Sequence, residues 1–281
     1  MPIITTLPFP DYLGHPAYGS SDVRAMRRGP PAMVPWGRAN RAEDTDATAM
    51  GRAAHCMILT PQLFGREYVV RPAGVDFRTK DGKAWRDAQT AEIVTAEEWQ
   101  QLQDIQAAFA SKRAARESLA AADAIEASVF WECPESGLPC KGRPDWFTLD
   151  CVHDLKVSVV GERDLAGVTY KAFANGWMHQ LAHNRGGLNA NGMEITKGRL
   201  TIIAPKPPQA LHVWLIEVRE SDLDLLELDN QRVRMGIAGC VKAGVWPGTP
   251  EEWQVVEVPH PGEFNEVDLL GAVEVPNTDG E

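Results

Sequence analysis

Apolar residues recur at helical spacing in the first third of the chain. In "TDATAMGRAAHCMIL", Met50, Ala53 and Met57 stand at i, i+3 and i+7, which predicts one apolar helix face. Thr45 or Asp46 can accept a hydrogen bond from the first turn as the N-cap. The stretch is therefore predicted to be an amphipathic helix.

A second helix is predicted to open at "TAEE". Thr95 and Glu98 have the spacing of a capping box, and Trp99 and Phe109 begin and end an apolar stripe. The pattern predicts a helix that runs to about Ala122.

Beyond this helix the pattern becomes that of strands. The runs "EASVFWE", "LPCKGRPDWFTLD" and "CVHDLKVSVV" are short and rich in β-forming residues, and they predict an antiparallel meander. Two further strands are predicted at "GRLTIIAPK" and "LHVWLIEVR".

Helical patterns lie between and after these strands. One covers Asp164 to Asn189, and another is predicted to be capped by Ser221 and to end near Gly244. This order of elements predicts an α/β fold, with a mixed central β-sheet flanked by helices, rather than a bundle or a sandwich.

Three regions are predicted from composition. Residues 1–45 are rich in Pro and Gly, with one helical candidate from Ser20 or Ser21, and are interpreted as an N-terminal arm. Residues 46–246 are predicted to form the main domain. Residues 247–281 are predicted to be an acidic, Pro-containing tail.

Charge is unevenly distributed. The net charge is −11, but residues 217–281 carry 15 acidic and 4 basic residues, which leaves the preceding part neutral. Within that part, residues 24–86 hold 12 Lys or Arg against 6 Asp or Glu. A basic face for nucleic acid and an ordinary mixed surface both remain open.

The composition argues against several protein classes. No run approaches the roughly 18 apolar residues of a membrane span, and the start lacks the features of a secretory signal, so a cytoplasmic location without membrane partners is expected. A disulfide framework or zinc ribbon is disfavoured because there is no CxxC pair among the cysteines, which are Cys56, Cys133, Cys140, Cys151 and Cys240.

Three residues that are costly to bury interrupt the predicted strands: Asp145, Asp154 and Lys156. Because strand side chains alternate, Asp154 and Lys156 should point to one face while Leu155 and Val157 point to the other, core-facing side. Two converging carboxylates suit Mg²⁺, and a nearby ammonium can orient or deprotonate an attacking water or neutralise a phosphate. A structural Asp–Lys pair at a sheet edge is the simpler alternative for an isolated D-x-K triplet.

The sequence around the D-x-K triplet favours a metal site over a structural Asp–Lys pair. A "PD" pair precedes it by nine residues in a β-meander between helices, and this arrangement resembles the PD-(D/E)XK restriction-endonuclease-like core. An ordered series resembles the RecE-type exodeoxyribonuclease VIII family of phages and prophages over residues 12–190. The series comprises "HPAYGSSDVRAM", "AMGRAAHCMILTPQLFGREYVV", "RTKDGKAW", "SGLPCKGRPDW", "HDLKVS" and "HQLAHNRGGL".

The resemblance implies a site. It implies metal ligation by His55, Asp145, Asp154 and the carbonyl of Leu155, for Mg²⁺ or Mn²⁺. From the residue pattern alone, the favoured interpretation of His55 is a satisfied histidine at a helix border. The resemblance further implies that Lys156 is the catalytic lysine, that the acids take part in catalysis, and that Gln180 positions the DNA end or the attacking water.

One position departs from the family pattern. Asn184 stands where a tyrosine is usual, which puts the DNA contacts in question. His179 and His183 on the same helix could substitute or could be ordinary surface histidines. Glu126 and Glu132 are possible further acids near the metal.

The function expected from the resemblance is metal-dependent hydrolysis from double-stranded DNA ends, 5′ to 3′, producing single strands for recombination. Double-stranded DNA ends, a single-strand annealing protein and a ring-shaped homo-oligomer are the expected partners. The alternatives are an inactive nuclease-like module that binds DNA or protein, and an endonuclease on the same core.

Overall fold

The computed structural model describes residues 3–40, 45–158, 164–205 and 212–249. The strands of this part are β1 (Ile3–Thr5), β2 (Tyr68–Val70), β3 (Glu92–Val94), β4 (Ala124–Ile125), β5 (Ser128–Glu132), β6 (Pro139–Gly142), β7 (Trp146–Thr148), β8 (Cys151–Val157), β9 (Lys197–Ile203) and β10 (Val213–Val218). Its helices are α1 (Phe9–Gly14), α2 (Ser20–Arg28), α3 (Met33–Ala39), α4 (Asp46–Leu59), α5 (Pro61–Glu67), α6 (Lys80–Asp87), α7 (Ala96–Ser111), α8 (Arg113–Ala120), α9 (Leu165–Ala174), α10 (Trp177–Ala190) and α11 (Glu220–Ala243).

The central sheet has five strands in the order β10-β9-β8-β7-β4. Strands β8 and β9 are parallel, whereas the other three pairs are antiparallel. A helical crossover formed by α9 and α10 connects the parallel pair, as parallel neighbours require. The predicted α/β fold with a mixed central sheet is therefore confirmed.

The predicted single meander is wrong, because its strands belong to two sheets. Strand β5 pairs with β6 in a separate three-stranded sheet of order β1-β5-β6, while β7 and β8 lie in the central sheet. The chain leaves one sheet and enters the other at Arg143, Pro144 and Asp145. Proline lacks the N–H that a continuous ladder would need at this crossing.

Helices cover both faces of the central sheet. Helices α4 and α7 pack on one face, where Leu155 and Ile203 are buried, and α10 and α11 pack on the other, where Val152 and Leu200 are buried. Asp154 and Lys156 lie on one face of β8 and Leu155 on the other, as alternation predicts, but both faces carry core residues. The face that carries Asp154 is also buried, beneath α10.

Several helix boundaries follow the predicted local signals. Thr45 caps α4, Thr95 and Glu98 form the capping box of α7, and α2 begins at Ser20. Gly244 ends α11 in the left-handed conformation, with φ of 66°. These signals involve only neighbouring residues, and they are confirmed.

Two predicted boundaries are wrong. The helix that opens at Thr95 stops at Lys112, whose extended backbone has φ of −89° and ψ of 98°, and α8 begins at the next residue. This break lets α8 turn and bury Ala115 in the core. At the other end of the domain, Arg219 rather than Ser221 is the N-cap of α11.

The described N-terminal segment, residues 3–40, packs and hydrogen-bonds against the rest of the chain. Strand β1 pairs with β5, and α2 packs against α3, α10 and α11. The buried ammonium of Lys141 donates hydrogen bonds to the carbonyls of Tyr12, Leu13 and His15 at 2.8, 3.1 and 2.8 Å. The boundaries at residues 45 and 246 stay a prediction, and all but residues 247–249 of the predicted tail lie outside the described residues.

Two features were expected to be absent, a membrane-spanning helix and disulfide bonds. In the described ranges, no helix has both the length and the apolar character needed to cross a membrane. All five cysteines are free thiols, and four of them are buried.

Candidate active site

Strand β8 presents Asp154 and Lys156 to the side covered by α10. The carboxylate of Asp154 is fully buried, and Lys156 Nζ lies 2.9 Å from its Oδ1 and 2.7 Å from its Oδ2. Lys156 keeps 19% of its side chain exposed, so its ammonium lies where the buried pair meets solvent. The pair therefore holds a charged donor near the C-terminal end of the central strand β8, where solvent reaches it.

Asp145 reaches the same place from the start of β7. It directly precedes Trp146, which pairs with His153, so it lies beside Asp154 across the antiparallel strands. Its Oδ2 accepts a hydrogen bond from the backbone N–H of Leu155, which fixes the orientation of the carboxylate. The predicted convergence of the two acids is present.

Burial perturbs both acids in the same direction. Loss of solvent raises the pKa of Asp145 to about 6, although Lys156 and the Leu155 N–H oppose the rise. Burial likewise raises the pKa of Asp154 to about 6, opposed by Lys156 and reinforced by the charge of Asp145. Two neighbouring carboxylates whose pKa values are raised by burial favour a cation between them, because the cation stabilises their charged forms.

His55 extends from α4 toward these acids. Its Nδ1 lies 3.6 Å from Asp145 Oδ1, and its ring interacts with the backbone of Leu155. Burial and the nearby Lys156 lower the pKa of His55, which favours the neutral imidazole. A neutral ring has a lone pair for a metal ion.

Gln180 completes the group from the first turns of α10. Its Oε1 accepts a hydrogen bond of 3.3 Å from Lys156 Nζ. Lys156 thus contacts both Asp154 and Gln180, and these two hydrogen bonds connect strand β8 to helix α10. All the residues assigned by the resemblance lie at one site.

Glu126 also lies next to this site. Its backbone N–H donates to the carbonyl of Asp145 at 2.8 Å, and its carboxylate is 3.3 Å from Arg143. Among the described residues it is the one non-glycine residue with positive φ, at 49°. Arg143 was not singled out from the sequence, although it directly precedes the "PD" pair. Glu132 lies exposed at the opposite end of β5 and does not join the site.

The other α10 candidates lie elsewhere. His183 is fully buried between Lys141 and Arg234, and Asn184 is 1% exposed against Gly142 of β6. Asn184 therefore presents no surface to DNA in this conformation. His179 is also buried and contacts Asp229 at 3.3 Å, so neither histidine is a surface residue.

The donor set fits a hard divalent cation in its chemistry. Carboxylate and carbonyl oxygens with one imidazole suit Mg²⁺ or Mn²⁺. Oδ2 of buried Asp154 makes no hydrogen bond of good geometry, although Lys156 Nζ is 2.7 Å away. In the described part of the chain, no three His, Cys, Asp or Glu side chains are already grouped closely enough to hold a metal. Binding would therefore require these side chains to adjust.

Comparison with known proteins supports the fold. No protein-family model matches the chain, and no curated protein matches it. The crystal structure of a "Putative exonuclease" from Eubacterium rectale matches with a TM-score of 0.62 and 14% sequence identity. The match covers 96% of this chain and 100% of that chain. The similarity shows a shared fold, and membership of the RecE-type family stays a prediction.

Proposed function

We propose that this chain is a metal-dependent DNA exonuclease that hydrolyses phosphodiester bonds from double-stranded ends. The observation that carries the proposal is the position of Lys156, bridged between Asp154 and Gln180 beside Asp145 and His55. The shared fold with a protein described as an exonuclease supports the same class of reaction.

Each residue has a distinct part in the proposed reaction. Asp145, Asp154, His55 and the Leu155 carbonyl would hold Mg²⁺ or Mn²⁺, which supplies Lewis-acid stabilisation of phosphate charge. Lys156 donates hydrogen bonds that orient the attacking water or neutralise charge that develops on the phosphate. Asp154 and Gln180 fix the ammonium in position, and Gln180 offers an amide to the DNA end.

Cleavage from 5′ to 3′, a single-strand annealing partner and a ring-shaped homo-oligomer belong to the same proposal. They rest on the resemblance of "HDLKVS" and its neighbouring segments to the RecE-type family. Such an enzyme would produce single strands for recombination in the cytoplasm.

The test is degradation of end-labelled linear duplex DNA with Mg²⁺, Mn²⁺ or EDTA, beside a closed circular duplex. Metal-dependent loss of the linear substrate alone is expected, and the position of the label reports polarity. Cleavage of the circle would instead establish an endonuclease on the same core.

A non-catalytic nuclease-like binding module is the second candidate. Two observations favour it: no metal-holding group is preformed in the described residues, and Lys156 already balances the charge of Asp154. A folded protein that binds DNA but degrades no substrate with either metal would support this candidate against the first.

A further inference from the structure

An open pocket of about 530 Å³ lies beside the start of α10, between α2, the end of α9 and α11. Its lining includes Arg24, Arg27 and Arg28 of α2, Phe173 of α9 and Asp229 of α11. None of these residues belongs to the candidate active site. The three arginines outnumber the single acid, so the lining carries a positive charge.

The acid in this lining is already neutralised. Asp229 accepts a hydrogen bond of 2.7 Å from Arg27 Nε, and Arg27 also donates to Asn230 at 2.6 Å. Arg27 is thereby held in place, which leaves Arg24 and Arg28 as the charges that set the character of the surface. Arg24 and Arg28 are both exposed, and Arg28 donates to the carbonyl of Ala174.

Among the described residues, no acid contributes to the pKa shift of Arg24. Although part of Arg24 is exposed, partial loss of solvent around its guanidinium and the charge of Arg28 both lower its pKa, and the second effect means that the two guanidinium groups repel each other. The stem of Arg24 packs over Gly176, where an added Cβ would lie 3.5 Å from Arg24 Cδ. A bound anion between the two arginines would relieve this repulsion.

The N-terminus of α10 opens at the same pocket. Gly176 is its N-cap and provides no side chain to bond the first turn. In the described residues, the amides of Trp177, Met178 and His179 have no backbone acceptor outside the helix. Free N–H groups at a helix N-terminus, together with the helix dipole, favour an anion.

His179 supplies a further unsatisfied group. It lines the pocket, it is 8% exposed, and its Nδ1 makes no hydrogen bond in the described part of the chain. The nitrogen itself is buried, so it is a costly unpaired group in the pocket wall and not an atom that a ligand in the open pocket contacts.

An aromatic ring completes the lining. Phe173 is 51% exposed, and its centroid lies 5.3 Å from the ring of His179. Exposed aromatic rings beside arginines are the combination that holds single strands, because bases stack on the rings while the cations contact phosphates. A duplex keeps its bases stacked inside and offers none to such a ring.

We propose that this pocket binds a single-stranded DNA segment, with a phosphate between Arg24, Arg28 and the α10 N-terminus and a base stacked on Phe173. Gln180 lies four residues beyond Gly176, about 6 Å along the helix axis. The pocket is therefore within reach of a strand that also contacts the candidate active site. The identity of the ligand as DNA rests on the proposed nuclease function.

The test measures binding without cleavage. The full chain carrying Lys156→Ala, in EDTA, is titrated into a fluorescein-labelled oligothymidylate of about ten nucleotides and into an abasic strand of the same length. Phe173→Ala is expected to weaken oligothymidylate binding about fivefold or more while leaving abasic binding unchanged. Arg24→Ala is expected to weaken binding to both strands and to reduce the slope of log K against log salt by about 0.7.

Arg113→Ala and Leu149→Ala are matched controls, because each removes an exposed side chain away from the pocket. Unchanged oligothymidylate affinity in Phe173→Ala would overturn the proposal, as would unchanged affinity in Arg24→Ala. Failure of the wild-type chain to degrade any linear DNA is a separate result, which would count against the proposed nuclease function and not against the binding site.

Discussion

The ammonium of Lys156 lies 2.7 Å from Oδ2 of Asp154, and the two residues differ sharply in exposure. The carboxylate is fully buried, whereas the side chain of Lys156 is 19% exposed. A purely structural ion pair at an exposed sheet edge would place both groups in solvent. This pair instead places a buried acid behind an accessible cation, an arrangement that suits phosphate chemistry.

Removing the ammonium should abolish cleavage. Lys156→Ala is expected to reduce nuclease activity by about 100-fold or more, because it removes the cation that contacts both Asp154 and Gln180. The rate is measured on linear duplex DNA, with circular dichroism to confirm folding. Lys197→Ala, which removes an exposed lysine paired with Asp150, should retain activity. Nuclease activity retained in Lys156→Ala would contradict the mechanism.

Metal binding should stabilise the chain in a pH-dependent manner. Burial raises the pKa of Asp145 and of Asp154 to about 6, so both acids lose their protons as pH rises from 5 to 7.5. Saturating Mg²⁺ or Mn²⁺ is therefore expected to raise Tm by about 5 °C or more at pH 7.5, and by less at pH 5. Calorimetric scans with and without metal provide the measurement.

The experiment compares one substitution at the site with a matched control substitution away from it. Asp154→Asn should remove the metal-dependent rise in Tm, whereas Asp87→Asn on the exposed end of α6 should preserve it. An equal rise in all three proteins would place metal binding elsewhere.

Local signals made part of the fold predictable from sequence. The caps at Thr45 and Thr95 and the terminal Gly244 depend on hydrogen bonds or backbone freedom within a single turn. The break at Lys112 and the division of the strands between two sheets depend on which surfaces meet later in folding. Periodicity carries no information about those contacts.

Only part of the candidate site was predicted by the residue pattern itself. Period-two alternation predicted that Asp154 and Lys156 share a face, but the inclusion of His55 and Gln180 came from family resemblance. The pocket at Phe173 was not predicted, because α2, α9 and α11 are far apart in sequence. The basic run "RAMRR" was its one visible signal, since much of the remaining basic segment forms local ion pairs, such as Arg78 with Asp76.

Acid should destabilise the chain through His183. Burial and the charge of Arg234 lower the pKa of His183 from 6.5 to about 3, partly offset by its hydrogen bond to the Lys141 carbonyl. The folded state therefore excludes a proton that the unfolded chain binds below pH 6.5. The stability that this pKa difference contributes is fully present above pH 6.5 and is lost as pH falls toward 3, on the order of 5 kcal/mol.

The free energy of unfolding against pH provides the measurement. Replacement of His183 by Gln should flatten the curve between pH 6 and 4, even if the variant is less stable overall. His153, whose pKa burial also lowers to about 3, should still contribute a residual slope. An unchanged slope in the variant would show that His183 is not the neutral buried group described.

Two helix glycines should respond oppositely to alanine. At Gly187 of α10, a Cβ would lie 2.5 Å from the ring of Trp131, which is itself buried, so the ring cannot move away freely. We expect Gly187→Ala to lower the free energy of unfolding by about 1–3 kcal/mol, because overpacking outweighs the gain in helix propensity. At Gly239 of α11, no atom lies within 4 Å of the added Cβ, and Gly239→Ala should stabilise by up to about 1 kcal/mol. Denaturant titrations of the two variants measure both changes, and stabilisation by Gly187→Ala would contradict the packing of α10 against β5.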